Sequence, residues 1–403
     1  MKTKKIFYFL LLLGFLSGCD YLDIVPDNLP TLEMAFNNKS SAERFLFTCY
    51  SFVPEHGKIG TDPGMDVGDE VWYYSDNSAD YSNKTTFWIA KGMQNSNEPL
   101  VDYWNGTQWG KAMFVGIRDC NVFIENIDKV PDLSAYDKET WKAEVKVLKA
   151  FYHFWLMRMY GPIPIVKENI PVSADENEVR VVRDKIDDIV AYTVSLIDES
   201  VDYLPLNIQN EAAEMGRITR PAAKAIKAKI LAFAASPFFN GNLDYANFKN
   251  ADGEPFFNQV YDGEKWTKAA EACLDAIQCA EEAGHGLYEF VNMSSTKLSE
   301  ETVLSLTNRC KVTERWNKEL VWGCGQSGIR DLQVLCQPWL ESNYSSDDRY
   351  HNARNGTFAP TLAVAETFYT KNGVPMDEDR SYDYDNRYTT QVATEADKYY
   401  IQP

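Results

Sequence analysis

The sequence predicts a mainly α-helical fold in which helices stack in tetratricopeptide-like pairs and long inserted loops form a ligand face. Several segments repeat apolar residues at steps of three and four, whereas the alternation typical of strands is scarce. Long polar and aromatic stretches at residues 56–110, 240–263 and 321–358 separate these segments. Because each amphipathic helix needs a neighbour to cover its apolar face, paired helices in an α-α superhelix are favoured, although no strict consensus repeat is visible.

The N-terminus has the features of a bacterial secretory signal. Three lysines among the first five residues precede an apolar run at residues 6–16, and small residues then lead to Cys19. The run is too short to cross a bilayer as a helix. A leader that ends at cysteine resembles a lipoprotein signal, so we expect residues 1–18 to be removed and Cys19 to carry acyl chains that anchor the mature protein to a membrane.

The clearest helical segment covers residues 139–159. Asp137 is expected to cap its start, and Gly161 with Pro162 is expected to end it. Its apolar positions recur at helical spacing, at Trp141, Val145, Leu148, Tyr152, Trp155 and Met159.

Two further helical segments have clear ends. One begins at Thr219, where Pro221 suits the first turn, and stops at Ser236 and Pro237. The other stops near Gly284. It places the following residues on one face: Trp266, Ala270, Cys273, Ile277 and Ala280. Weaker helical patterns cover residues 41–53, 111–127 and 182–197.

The charge balance argues against nucleic acid as a partner. The formal net charge is −19, and losing three leader lysines makes the mature chain −22, so phosphate backbones and anionic headgroups would be repelled. Seven cysteines remain besides Cys19, without a C-x-x-C pair. We expect most of them to be buried apolar residues, with Cys324 and Cys336 the best candidates for a disulfide.

Four ordered motifs resemble the SusD/RagB family of Bacteroidetes outer-membrane lipoproteins. They are the start at residues 19–26, the helix at 143–154 with its exit at Tyr160, Gly161 and Pro164, the stretch 216–225, and the asparagine-glycine turn at 371–375. The resemblance implies a tetratricopeptide-like scaffold that captures glycans without cutting them and partners a SusC-like TonB-dependent transporter. It assigns residues 19–403 to one helical domain, and the family's longer C-terminal portion is expected to be lacking.

Glycan binding needs flat aromatic rings for the C–H faces of sugars and polar groups for their hydroxyls. Two loop regions have that composition. The predicted ligand-binding residues are Trp72, Tyr73, Tyr74, Asp76, Asn77, Trp88, Trp104, Trp322, Gln326, Arg330 and Trp339.

Signals for other chemistry are weak. Residues 323–328 fit G-x-G-x-x-G, but they lie in a polar loop without the strand and helix of a dinucleotide site, so we expect no cofactor. The four histidines are scattered, no metal or nucleophile motif appears, and His153 is expected to be a packed helix residue. No carboxylate pair stands out as a glycosidase acid and nucleophile.

The predicted function is therefore a surface lipoprotein that binds oligosaccharides and delivers them to the transporter. Three alternatives stay open: peptide cargo with the same transporter, a surface glycoside hydrolase, and a helical-repeat adaptor that binds protein alone.

Overall fold

The computed structural model describes residues 32–55, 57–58, 62–73, 85–325, 336 and 358–389. The predicted signal at residues 1–18 and the lipidation site Cys19 lie outside this part of the chain. Within it, seven helices are longer than ten residues. They are α1 (Lys39–Tyr50), α2 (Met113–Asn126), α3 (Ala135–Tyr160), α4 (Ile186–Asp198), α5 (Arg220–Ala235), α6 (Glu264–Glu282) and α7 (Glu300–Thr313).

The remaining regular elements are short. Four- to six-residue helices cover Leu32–Ala35, Pro63–Asp66, Thr85–Ala90, Glu176–Val179, Glu211–Glu214 and Leu362–Ala365, and 3-10 turns cover Ile127–Lys129, Val201–Tyr203, Leu243–Tyr245 and Tyr384–Asn386. Strands β1 (Val71–Tyr73) and β2 (Phe358–Pro360) pair antiparallel, with Trp72 opposite Ala359. The prediction of a mainly α fold is confirmed. No helix in the described ranges is both long and apolar enough to cross a membrane.

Helix α3 is the centre of the core. It packs against α1, α2, α4 and α5, and nearly every residue from Ala143 to Met157 is buried. The consecutive packing of α2 on α3, α3 on α4, α4 on α5 and α5 on α6 gives the predicted stack of helical pairs. Because neighbours surround α3, its apolar surface is wider than the single stripe that the sequence spacing indicates.

Burial of α3 on all sides requires partners for its polar residues. The Lys149 ammonium donates to the carbonyl of Lys167 at 2.7 Å and lies 5.7 Å from the centre of the Tyr192 ring. The His153 Nδ1 atom lies 2.8 Å from the carbonyl of Lys149, and its Nε2 accepts from the Val166 amide at 3.1 Å. His153 is thus a packed helix residue, as expected.

Local signals place most helix ends. Helix α5 begins after Thr219, whose hydroxyl accepts from the Ala222 amide, and Pro221 lies in its first turn. Helix α3 ends at Gly161, which has a φ of +69° that favours glycine. The predicted cap Asp137 is wrong. Ser134 caps α3, because its hydroxyl accepts from the Asp137 amide at 3.0 Å and the helix starts one turn earlier.

The predicted apolar face of α6 points largely to solvent. Trp266 is 44% exposed and Ile277 is 55% exposed, whereas Ala269, Ala272 and Cys279 are buried. Helices α5 and α6 pack closely along their length, and small side chains permit that approach. Residue size at the contact, rather than total hydrophobicity, therefore decides which face is buried.

The cysteine predictions need correction. Cys324 and Cys336 are not joined by a disulfide, and both are exposed. Of the seven described cysteines only Cys49, Cys120 and Cys279 are buried. The irregular spacing in sequence contained no information on which cysteines meet in space.

Candidate functional site

The predicted ligand-binding residues fall into three separate places. Trp72 lies on β1, and Trp88 lies in the short helix Thr85–Ala90, whose Phe87 packs against β2. Trp104 lies next to α2 and α3, and Trp322 lies beside α3 and the turn before α5. Seven predictions concern side chains outside the described residues: Tyr73, Tyr74, Asp76, Asn77, Gln326, Arg330 and Trp339.

The sheet presents a small aromatic surface. Trp72 is 38% exposed, and its ring contacts the edge of Phe87 with centroids 5.8 Å apart. Phe87 is buried and packs against Phe358 on β2 at 6.0 Å. Trp88, the next residue in the short helix, is 36% exposed, and the Lys91 ammonium lies 5.2 Å from its ring centre. Buried Phe87 thus supports the ring of Trp72, and the neighbouring Trp88 also faces solvent.

Trp104 anchors a loop. Its ring packs edge-on against Phe114 at 4.7 Å and Tyr160 at 5.5 Å, and the Arg183 guanidinium lies 5.5 Å from its centre. Asp102 holds the same loop by accepting from the Trp104 amide at 2.8 Å. These contacts give Trp104 a packing role, and its part in ligand binding stays a prediction.

Trp322 lines a cavity with a volume of about 420 Å³. Its indole N–H donates to the carbonyl of Gly216 at 3.0 Å, and its ring packs edge-on against Phe151 of α3 at 5.6 Å. Three segments form the walls: residues 207–219, the turn at 283–285 and the loop at 316–323. A volume of this size accommodates a small ligand or one sugar ring.

A second tryptophan, Trp316, lines the same cavity. Its backbone has a φ of +53°, a left-handed conformation that is unusual for a bulky residue. A Cβ added to Gly216 would lie 3.6 Å from Cη2 of Trp316, and a Cβ added to Gly323 would lie 3.0 Å from Cζ3. The distal edge of the indole therefore lies close to the backbone at both glycines, where a larger residue would crowd it.

The turn before α5 is fastened to the core. Arg217 binds Glu144 of α3 through Nη2–Oε1 at 2.5 Å and Nε–Oε2 at 3.1 Å. The Tyr50 hydroxyl of α1 donates to Glu144 at 2.5 Å and accepts from the Ile218 amide at 2.8 Å. Buried, satisfied networks of this kind hold the adjoining backbone in one position. The wall that contains Gly216 is consequently rigid.

Polar residues also line the cavity. Asn207, Glu211 and His285 contribute to its lining. His285 Nδ1 lies 3.1 Å from the carbonyl of Lys318, which fixes the ring against the opposite loop. Asn317 stabilises the loop after α7, because its side-chain amide donates to two carbonyls at the end of that helix. The lining of the cavity thus combines two tryptophans with residues that carry hydrogen-bonding groups.

Sequence reasoning identified Trp322 but missed Trp316, Asn207, Glu211 and His285. Trp316 lies just before the loop that we marked as functional, after α7, a helix that the sequence patterns did not reveal. The sequence feature that could have indicated Trp316 is an aromatic residue followed by an asparagine, Asn317, just after a helix end. Among the described residues no group of three histidine, cysteine or acidic side chains is arranged to hold a metal ion.

Comparisons with known proteins identify the family. A family model described as "Starch-binding associating with outer membrane" (SusD-like_3) matches residues 20–231, slightly more than half of the chain. The chain belongs to the SusD-like family. The match includes the Gly216 turn and all of α3, so the family region supplies one wall of the cavity and the core beneath it.

Solved SusD-like structures share the fold. BT4246 superposes with a TM-score of 0.71 at 26% identity, covering 89% of this chain and 61% of BT4246. A SusD-like protein (BF3747) of Bacteroides fragilis NCTC 9343 gives 0.58 at 15% identity, covering 85% and 55%. SusD-like protein P25 of Formosa agariphila is 22% identical over 240 residues, which are 57% of this chain and 43% of P25. The chain thus spans less than two thirds of the length of each of these relatives. The two structural superpositions confirm the predicted tetratricopeptide-like helical fold.

Proposed function

We propose that this SusD-like chain is a non-catalytic, lipid-anchored protein of the outer membrane that captures oligosaccharides and passes them to a SusC-like TonB-dependent transporter. The observation that carries the proposal is the cavity lined by Trp316 and Trp322, which lies in a chain of a family described as starch-binding and associating with the outer membrane.

The cavity suits a sugar ring in shape and chemistry. An indole face packs on the C–H face of a pyranose, and each aromatic contact of this kind contributes on the order of 1 kcal/mol. Asn207, Glu211 and His285, which also line the cavity, can supply donors and acceptors for sugar hydroxyl groups. Two rings and a few hydrogen bonds support affinities in the range of weak, reversible capture, which suits a protein that must release its cargo.

The exposed pair Trp72 and Trp88 is proposed as a second contact region for a longer chain. Both rings face solvent, the Trp72 ring packs edge-on against buried Phe87, and the Lys91 ammonium lies 5.2 Å from the Trp88 ring centre. Aromatic surfaces that are solvent-exposed yet supported from behind lose little side-chain entropy on binding.

Replacement of Trp316 tests glycan capture. Native affinity electrophoresis in gels that contain amylopectin, laminarin or pectin should show retardation of the wild-type protein by at least one of them. Trp316→Ala should lose most of that retardation. Trp266→Ala is the matched control, because it removes an exposed tryptophan on α6 far from the cavity lining. Equal retardation of both variants, or none for the wild type, would contradict the proposed site.

Three further measurements test the rest of the proposal. Incubation with the retarding glycan should release no new reducing ends, since the chain is proposed to bind without cutting. Mass spectrometry of the mature N-terminus should find acyl chains on Cys19. Affinity purification from outer membranes should recover a TonB-dependent barrel. A Cys19 without acyl chains would contradict the proposed anchor, and the absence of a barrel would contradict the proposed transporter partner.

A further inference from the structure

A second groove lies toward the opposite end of α5 from the Trp316 cavity. It has a volume of about 550 Å³ and shares no lining residue with that cavity. Its lining comes from the end of α3, the middle of α5 and the turn after α5. The residues are Arg158, Lys229, Ala232, Phe233, Ser236, Phe238 and Phe239.

Two cationic side chains line this groove. The Arg158 guanidinium lies 4.2 Å from the ring centre of Trp155 and 6.0 Å from that of Phe233, so aromatic rings fix its position. Lys229 lies on α5, with part of the residue in solvent and part against the groove. Burial, followed by the charge of Arg158, lowers the pKa of Lys229, and burial lowers the pKa of Arg158. Two like charges that disfavour each other would both gain from a bound anion.

Asp62 is the acidic neighbour of both cations and raises the pKa of each. Its carboxylate also accepts from the backbone amides of Gly57 at 2.9 Å and Gly64 at 3.0 Å, where it caps a short helix. The groove lining therefore carries two cations, with the Asp62 carboxylate near them but outside the lining, in a chain whose net charge is −19. A locally positive groove on a strongly acidic protein would attract an anion against the overall field.

The rest of the groove is aromatic. Phe238 is 48% exposed and packs edge-on against buried Phe239 at 4.9 Å. Phe233 packs edge-on against Phe154 of α3 at 5.6 Å, which holds the wall in place. An aromatic surface beside two cations matches a sugar ring that carries an anionic substituent.

We propose that the groove lined by Arg158, Lys229 and Phe238 binds an acidic sugar residue, through a carboxylate or a sulfate on the ring. This inference rests on the proposed glycan-capture function and narrows its substrate class to acidic oligosaccharides. The phenylalanine surface contacts the sugar ring, while the guanidinium and the ammonium bind the anionic group.

The test measures acetylation of lysines by mass spectrometry in the presence of three tetrasaccharides. Tetragalacturonate carries carboxylates, a carrageenan tetrasaccharide carries sulfates, and maltotetraose is neutral. At least one acidic probe should slow acetylation of Lys229, whereas maltotetraose should not. Lys227 is the control in the same spectra, because it lies on the same helix, pairs with Asp198 and does not line the groove.

Two matched variants measure how much Lys229 contributes to the affinity for the protecting glycan. Lys229→Gln should weaken binding of the protecting glycan about tenfold, as expected for the loss of one charge-assisted hydrogen bond, and Lys227→Gln should leave it unchanged. Comparison of the two acidic probes distinguishes carboxylate from sulfate. Failure of both acids to protect Lys229, or equal effects of the two variants, would overturn the inference. The Trp316→Ala result is independent of it, so failure of the groove and failure of glycan capture are distinguishable.

Discussion

Arg217 and Glu144 form a buried ion pair in which two guanidinium nitrogens meet two carboxylate oxygens, although the residues are 73 positions apart in the chain. The side chains are 9% and 2% exposed. Arg217 follows Gly216 directly, and Gly216 contacts both cavity tryptophans. The pair therefore connects the centre of the core to the wall of the proposed glycan site.

Loss of this pair should destabilise the fold strongly. Glu144→Gln removes the buried counterion of Arg217 and leaves the partly exposed Glu214, whose carboxylate lies 2.6 Å from Arg217 Nη1. Breaking a buried pair typically costs about 3–5 kcal/mol in the free energy of unfolding, and because Glu214 remains we expect a cost at the lower end of that range. Chemical denaturation monitored by circular dichroism measures the change. Glu199→Gln is the control, because it breaks the exposed pair with Lys146 and should cost less than about 1 kcal/mol. Similar costs for both variants would show that burial of the Arg217 pair is unimportant.

Gly216→Ala should disturb the Trp316 cavity. The φ of Gly216 is +99°, and the new Cβ would lie 3.3 Å from the carbonyl oxygen of Gly323. We expect a backbone cost of about 1–3 kcal/mol, a displaced loop and weaker glycan retention. Gly253→Ala is the matched control, since its φ is +82° but nothing lies within 4 Å of the added Cβ. It should lose similar stability and retain the glycan fully. Unchanged glycan retention in Gly216→Ala would contradict a role for the Gly216 wall in glycan binding.

Trp72 and Trp104 should respond differently to replacement by alanine. Trp104→Ala removes a ring packed on Phe114 and Tyr160 and should lower the free energy of unfolding by about 3 kcal/mol. Trp72→Ala removes an exposed ring, so stability should change by less than about 1 kcal/mol while glycan retention falls. Thermal unfolding and affinity electrophoresis measure the two effects. A large stability loss in Trp72→Ala would mark its ring as structural.

His153 should make the fold sensitive to mild acid. Burial lowers the pKa of its imidazole from 6.5 to about 4. Between these values the unfolded chain binds a proton that the folded chain rejects, so stability present above about pH 6.5 falls as the pH decreases, by about 3 kcal/mol in total at pH 4.

His153→Gln provides the comparison for this pH effect. Glutamine can donate to the carbonyl of Lys149 and accept from the Val166 amide, but it does not titrate. Denaturation curves between pH 4 and pH 7 should therefore show a shallower loss of stability for the variant. Identical pH dependence of the two proteins would assign the acid sensitivity to other groups.

Features that depend on a few neighbouring residues were readable from the sequence. Thr219 and Pro221 define the start of α5, and Gly161 defines the end of α3, because caps and turns follow from local backbone geometry. The order of four short motifs along the chain likewise predicted the family and, with it, the helical fold. The predicted cap of α3 was the exception. Ser134, one turn before Asp137, is the cap, because its hydroxyl accepts from the Asp137 amide.

Features that depend on distant residues required the tertiary structure. Sequence spacing placed Trp266 and Ile277 on the apolar face of α6, yet close approach to α5 buries alanines instead. Trp316 meets Gly216 across 100 positions of the chain, and Arg217 meets Glu144 across 73. Periodicity states which side of a helix is apolar, but only packing decides what covers that side. Helices and their ends were therefore determined locally, whereas the cavity, its two indoles and the ion pair behind them arise from how the helices stack.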